Sequence, residues 1–149
     1  MTPDEKAHEL GLDLLAYNPP ANLAPATRVG NTIYTSGHVS VGYQGKVGRE
    51  FNVEEGQTAA RVCAVQLLQA AYTLTGTLNN LRCVRLLGAV NCTPEFTEQH
   101  LVINGASQLI WDILGKEGRG YHARSALGFV SLPVGFAVEV EGIFEVIEE

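Results

Sequence analysis

From Phe136 onward, apolar and acidic residues alternate: Phe136, Val138, Val140, Gly142, Phe144 and Val146 stand at even positions, and Glu139, Glu141 and Glu145 at odd ones. A period of two puts these sets on opposite sides of a strand, so the segment reads as a half-buried strand with one apolar face. The spacing changes over residues 53–74, where Ala60, Cys63, Ala64, Leu67, Ala71 and Leu74 recur at helical intervals behind an Asn52–Glu55 capping pair, with Gly76 placed to stop the helix. A second helix is predicted over 98–114, with Val102, Ala106, Leu109, Ile110 and Ile113 on one face and Gly115 past its end. Between them, residues 82–91 carry the bulk of a strand, which Cys92 and Thr93-Pro94 terminate.

The N-terminal third is punctuated differently. Thr2, Pro3 and Glu5 open a short helix that Gly11 can end, and the proline-rich run 17–26 predicts an extended arm over the surface, where a neighbouring subunit could receive it. Gly30-Asn31 suits a tight turn between strands at 27–29 and 32–36. Residues 41–48 have no clear period and read as a loop or weak edge strand bordering a pocket. Taken in order, these elements predict an α+β fold: one domain over 1–149, with a mixed sheet carrying two main helices on one face and residues 1–26 as helix and arm.

One residue stands out against this pattern. Arg124 lies inside an otherwise apolar, strand-like run, and its guanidinium stays charged and presents a planar fork of donors. A half-buried strand accommodates such a group when a carboxylate or carbonyl oxygens face it. An arginine near a strand end also serves structure alone, by snorkelling or by pairing with an acid. Residues 132–135 read as a hairpin turn, which would lay the strand of Glu139 beside that of Arg124 and bring the two charges together across the sheet.

Composition narrows the chemistry. A net charge of −6 argues against a surface that tracks nucleic-acid phosphates. No run approaches the roughly 18 apolar residues of a membrane helix, and the N-terminal stretch lacks the basic and apolar regions of a signal peptide, which predicts a cytoplasmic protein. Cys63, Cys83 and Cys92 lack metal-ligand or disulfide spacing, and His8, His38, His100 and His122 are scattered, so neither a metal nor a cofactor is expected. Nucleotide-loop, zinc-protease and nucleophile-elbow motifs are missing.

Ser36-Gly37 after the first hairpin, Ala123-Arg124-Ser125, the Leu132-Pro133 pair and the Glu139/Glu141 strand together resemble the YjgF-like, or reactive intermediate deaminase (Rid), family over about residues 28–146. The N-terminal extension and the segment 98–102 resemble its endoribonuclease-like subgroup. The resemblance implies a chorismate-mutase-like α+β fold and a homotrimer with clefts between subunits. It further implies that a small 2-imino or enamino acid is hydrolysed there to a 2-keto acid and ammonia without cofactor. On this reading Arg124 holds the substrate carboxylate, Asn104 lines the pocket and Glu139 orients or activates water.

Departures from the family pattern keep other readings open. Ala126 stands where deaminase members carry cysteine, and ungapped matching puts Leu23 at their tyrosine. His122 replaces a proline and His38 a glutamine. His122 shares a strand face with Arg124, so it is a candidate titratable catalytic group, or a solvated histidine at a strand start. A non-catalytic metabolite-binding module and a ribonuclease are the alternatives, the latter opposed by the acidic balance.

Overall fold

The computed structural model describes residues 1–19 and 21–148; Pro20, in the expected arm, lies outside the described residues. Among the described residues, three α-helices, α1 (Pro3–Glu9), α2 (Val53–Thr75) and α3 (Gln99–Leu114), accompany six strands. The strands are β1 (Ala26–Val29), β2 (Thr32–Thr35), β3 (His38–Val39), β4 (Leu81–Asn91), β5 (Ala123–Phe129) and β6 (Val138–Val146). They form one mixed sheet in the order β1-β2-β6-β4-β5, with β3 paired to β6; only β4 and β5 run parallel.

The long helices form where their caps and small residues allow. In α2 the Asn52 side chain accepts from the Glu55 amide at 2.9 Å and Glu55 accepts from the Asn52 amide at 3.0 Å, satisfying two of the orphan donors of the first turn. Its far end stops at Gly76 in the left-handed region, φ +68°. Ala59, Ala60, Cys63, Ala64, Ala70 and Ala71 are all fully buried, which lets the helix lie close to its neighbours. A side chain at Gly88 on β4 would overlap Ile103 of α3, and one at Gly105 on α3 would overlap the Gln57 carbonyl of α2. The close approach of α3 to the sheet and to α2 therefore depends on missing Cβ atoms. Both helices cover the same face of the sheet, on which Leu86, Val90, Val138, Val140 and Phe144 are buried.

The expected C-terminal hairpin does not form. Residues 133–135 make a tight 3-10 turn, but β4 lies between the two strands, pairing in parallel with β5 and antiparallel with β6. Burial accounts for this: β4 is the longest and most apolar strand, and a central place covers it on both edges. The turn holds Val134 at φ +59°, an unfavourable conformation for a β-branched residue.

The N-terminal segment docks on its own chain. Asp4 accepts from the Leu78 amide at 2.7 Å and the Thr77 hydroxyl at 2.5 Å, tying α1 to the α2–β4 connection. Gln69 of α2 donates to the Asp13 carbonyl at 2.8 Å, and Tyr17 reaches β3. Residues 41–48 close over the end of β4 through isolated bridges at Gln44 and Val47. Among the described residues, no helix is long and apolar enough to cross a membrane.

Candidate functional site

Arg124 enters β5 opposite Leu86 and points to the helix-covered side, where α3 meets it. Nη1 donates to Asn104 Oδ1 at 2.9 Å and to Ser107 Oγ at 3.1 Å, and Nη2 donates to the His100 carbonyl at 3.2 Å. Asn104 and Ser107 are one turn apart on α3, so the helix presents both to the same cation. All three acceptors are neutral, and no carboxylate pairs with Arg124 among the described residues. A guanidinium has five N–H groups; three are used, leaving Nε–H and one Nη2–H without a partner among the described residues.

His122 joins the same cluster. Its Nδ1 lies 2.6 Å from the Gly120 carbonyl, which can only accept, so Nδ1 carries the proton and Nε2 accepts from the Ser107 hydroxyl at 2.9 Å. A directed chain results, from Arg124 N–H to Ser107 to His122 to the Gly120 carbonyl. Burial lowers the His122 pKa, the Gly120 hydrogen bond works against that, and the nearby Arg124 charge lowers it further. A pocket of about 220 Å³ is lined by Asn104, Ser107, Trp111, His122 and Arg124. Three of the four residues singled out from sequence thus meet at one place, and His122 is half-buried rather than solvated.

Glu139 lies elsewhere. It pairs with Ala89, which pairs with Leu127 on β5, so its side chain is on the face that carries Leu127 and not the one that carries Arg124. The expected meeting of Arg124 and Glu139 across adjacent strands is therefore overturned within the chain, because β4 separates their strands and the register puts them on opposite faces. The Glu139 carboxylate rests against Gly37, where any Cβ would overlap Oε2. Burial, and secondarily the charge of Glu141, raise its pKa. Glu139, Ser36, Gly37, His38, Gln66, Leu23 and Phe136 help line a recess of about 650 Å³.

Two functional candidates escaped the sequence reading. Ser107, fully buried, carried no motif and shows its role only through its contacts with Arg124 and His122. Tyr17, in the arm, places its hydroxyl 2.5 Å from Nε2 of His38, which lines this recess, so the tyrosine bonded to a recess residue comes from six residues before Leu23. Its proline-rich surroundings gave no register from which to predict the contact. Beside Arg124 on β5, Ala126 and Gly128 open into a groove of about 610 Å³ with Lys46, Cys92, Phe96, Gln99 and Phe129. Among the described residues, no group of three or more His, Cys, Asp or Glu could hold a metal ion.

Comparison with known proteins places this arrangement. The endoribonuclease L-PSP family matches residues 15–146. Protein TCP17 of Trypanosoma cruzi is 41% identical, over 90% of this chain and 91% of that protein. The crystal structure of Atu1372 from Agrobacterium tumefaciens, a protein of unknown function, is 41% identical and superposes with a TM-score of 0.87, covering 99% of this chain and 94% of its own. A Shewanella oneidensis structure is 26% identical with a TM-score of 0.90, covering 98% and 100%. The mixed sheet with helices packed on it is that of a chorismate-mutase-like fold, and the chain belongs to the endoribonuclease L-PSP family, the YjgF-like or Rid group that its C-terminal strand motifs resemble.

Proposed function

We propose that the protein binds small carboxylates on Arg124 in clefts between subunits of a homotrimer and hydrolyses reactive 2-imino acids there. The observation that carries this reading is the half-buried Arg124, held by three neutral acceptors with two N–H groups left over. A cation so placed is oriented but not neutralised, and the spare donors match the two oxygens of a carboxylate. Fixing that end of a small molecule orients its C=N carbon for attack by water.

Hydrolysis also needs a group that handles protons. Water adds to the imine carbon, the nitrogen takes up protons and leaves as ammonia, and the carbon becomes a ketone; a carboxylate of raised pKa suits both directions of transfer. Glu139 has that character but sits away from Arg124 in the same chain. A second copy is the natural source of the missing half. The uncovered face of the sheet, which carries Tyr34, Ile143, Leu87 and Leu127, supports such an assembly, because it is partly apolar and no helix among the described residues covers it. The domain then comprises residues 1–149, residues 1–26 supplying the N-terminal helix and arm, from which Asn18, Pro19 and Leu23 line the recess.

A non-catalytic metabolite-binding module is favoured by one observation: Ala126, beside Arg124 on the same strand face, offers no reactive group to the groove it lines. Ribonuclease activity is disfavoured by the net charge of −6. The deciding experiment follows ammonia and keto-acid release from freshly generated 2-imino acids, with wild type and Arg124→Ala protein of matched oligomeric state. Turnover abolished by the substitution supports the hydrolase. Pyruvate binding without turnover of several imines supports the binding module.

A further inference from the structure

We infer that Tyr17 and His38 form a proton relay opening into the recess that holds Glu139, making the N-terminal arm a working part of the site. What the relay acts upon rests on the hydrolase reading above; the pair itself rests on geometry. His38 is 1% exposed, on β3 between the sheet and α2. Its Nδ1 lies 2.8 Å from the Ser36 carbonyl, which can only accept, so Nδ1 carries the ring proton and Nε2 is left as an acceptor. The Tyr17 hydroxyl, 2.5 Å away, must then be the donor. The two rings lie 5.7 Å apart between centroids and are tilted by 52°.

The direction of this bond defines what the pair can do. The phenol gives its proton to the imidazole, so its oxygen keeps lone pairs free to accept from a third partner. Water in the recess can pass a proton to that oxygen while the phenol proton moves to Nε2. One O–H bond forms on Tyr17 as the other breaks, His38 becomes imidazolium, and the hydroxyl adds to the imine carbon. With the substrate as the iminium, addition leaves a neutral amine; the reverse transfer protonates that amine, the C–N bond breaks to release ammonia, and the carbinolamine O–H proton leaves to solvent as the C=O bond forms, so both side chains return to their starting forms.

The surroundings favour this cycle. Burial raises the Tyr17 pKa and lowers that of His38, with the Ser36 hydrogen bond partly opposing the latter, so both groups rest in their neutral forms. From β6, the partner of His38 is the apolar Val140, and the next residue, Glu139, turns its carboxylate onto Gly37 in the same recess. From α2, Gln66 is uncharged and donates to the Val39 carbonyl, while the Cys63 thiol, held protonated by burial, faces the Val138 carbonyl. Glu139 lines the same recess, although the His38–Val140 register sets its side chain on the other face of the sheet from the His38 ring.

The test uses the full-length protein and two variants. Tyr17→Phe keeps the ring and removes the donor; His38→Gln keeps an acceptor that cannot titrate. NMR titration of the His38 ring should give a midpoint that rises in Tyr17→Phe, because neutral Nε2 loses its hydrogen bond. With 2-imino acids, Tyr17→Phe should lower kcat by at least about tenfold, and His38→Gln should remove the acid limb of the pH profile. A His38 midpoint indifferent to Tyr17→Phe, or variants with wild-type rates and pH profiles, would overturn the inference. Absence of wild-type turnover would sink the hydrolase reading separately, and the His38 titration, which needs no substrate, would still decide the pair.

Discussion

Arg124 and Glu139 stand on opposite faces of one sheet with β4 between their strands, Arg124 opposite Leu86 and Glu139 opposite Ala89. If both serve one reaction, they do so from different subunits. Arg124→Ala and Glu139→Gln proteins should each be inactive alone and regain activity when unfolded and refolded together. Random assortment into the proposed trimers would leave an intact Arg124–Glu139 pair at about a quarter of the clefts, so recovery near that fraction of wild type is expected. No recovery in verified mixed trimers would place the site within one chain.

Gly37 is where the Glu139 carboxylate rests, and a methyl group there would overlap Oε2. Since the obstructing atom ends a flexible side chain, Gly37→Ala should move the carboxylate at little cost to the fold. Turnover is expected to fall at least about tenfold while the urea midpoint changes little. A stable variant with full activity would show that the position of Glu139 is immaterial.

Arg124→Lys keeps the charge and loses the planar fork that reaches Asn104, Ser107 and the His100 carbonyl together. Calorimetric titration with pyruvate should show binding weakened about tenfold or more. Equal affinity would mean that charge alone suffices and that the α3 contacts do not orient the group.

Stability should respond to pH through His38 and His122, whose pKa values are both lowered chiefly by burial. As pH falls through the ordinary histidine value, about 6.5, the unfolded chain takes up protons that the folded chain resists, so stability declines on acidification. Glu139, raised by burial and by Glu141, acts in the opposite sense: the folded chain retains a proton above the usual carboxylate value, and stability declines as pH rises through that window. Urea midpoints measured from about pH 7.5 to pH 5.5 should fall more steeply for wild type than for a His38→Gln/His122→Gln double variant. Parallel curves would show that neither ring is held neutral.

Gly105 lies mid-helix against the Gln57 backbone, where a methyl group meets a carbonyl rather than a movable side chain. Gly105→Ala should therefore destabilise by about 1–3 kcal/mol despite improving helix propensity, as read from denaturant unfolding. A stabilised variant would mean that α2 and α3 separate without cost.

Much of this was legible in the chain itself, because it is encoded locally. The Asn52–Glu55 box and Gly76 delimit α2, the alternation from Val138 to Val146 delimits β6, and the charge of Arg124 within an apolar run marked it for attention. Strand parity put His122 on the face of Arg124, whereas Asn104 entered only through the family resemblance; the structure sets both around the pocket that Arg124 lines. Ser107 went unremarked because a buried serine in a helix has no local signature.

Local sequence thus determined the long helices and most strands and which faces they bury, for these follow from caps, glycines and periodicity within a turn or two; β3 (His38–Val39), past the Gly37 stop, was not among them. Tertiary structure alone decided that β4 separates β5 from β6, that Glu139 and Arg124 face apart, and that Tyr17 of the arm meets His38. Strand order depends on which arrangement buries the most apolar surface across the whole sheet, and β4 gains most from an interior place. A tight turn at 133–135 is compatible with either pairing, so no local rule could choose between them.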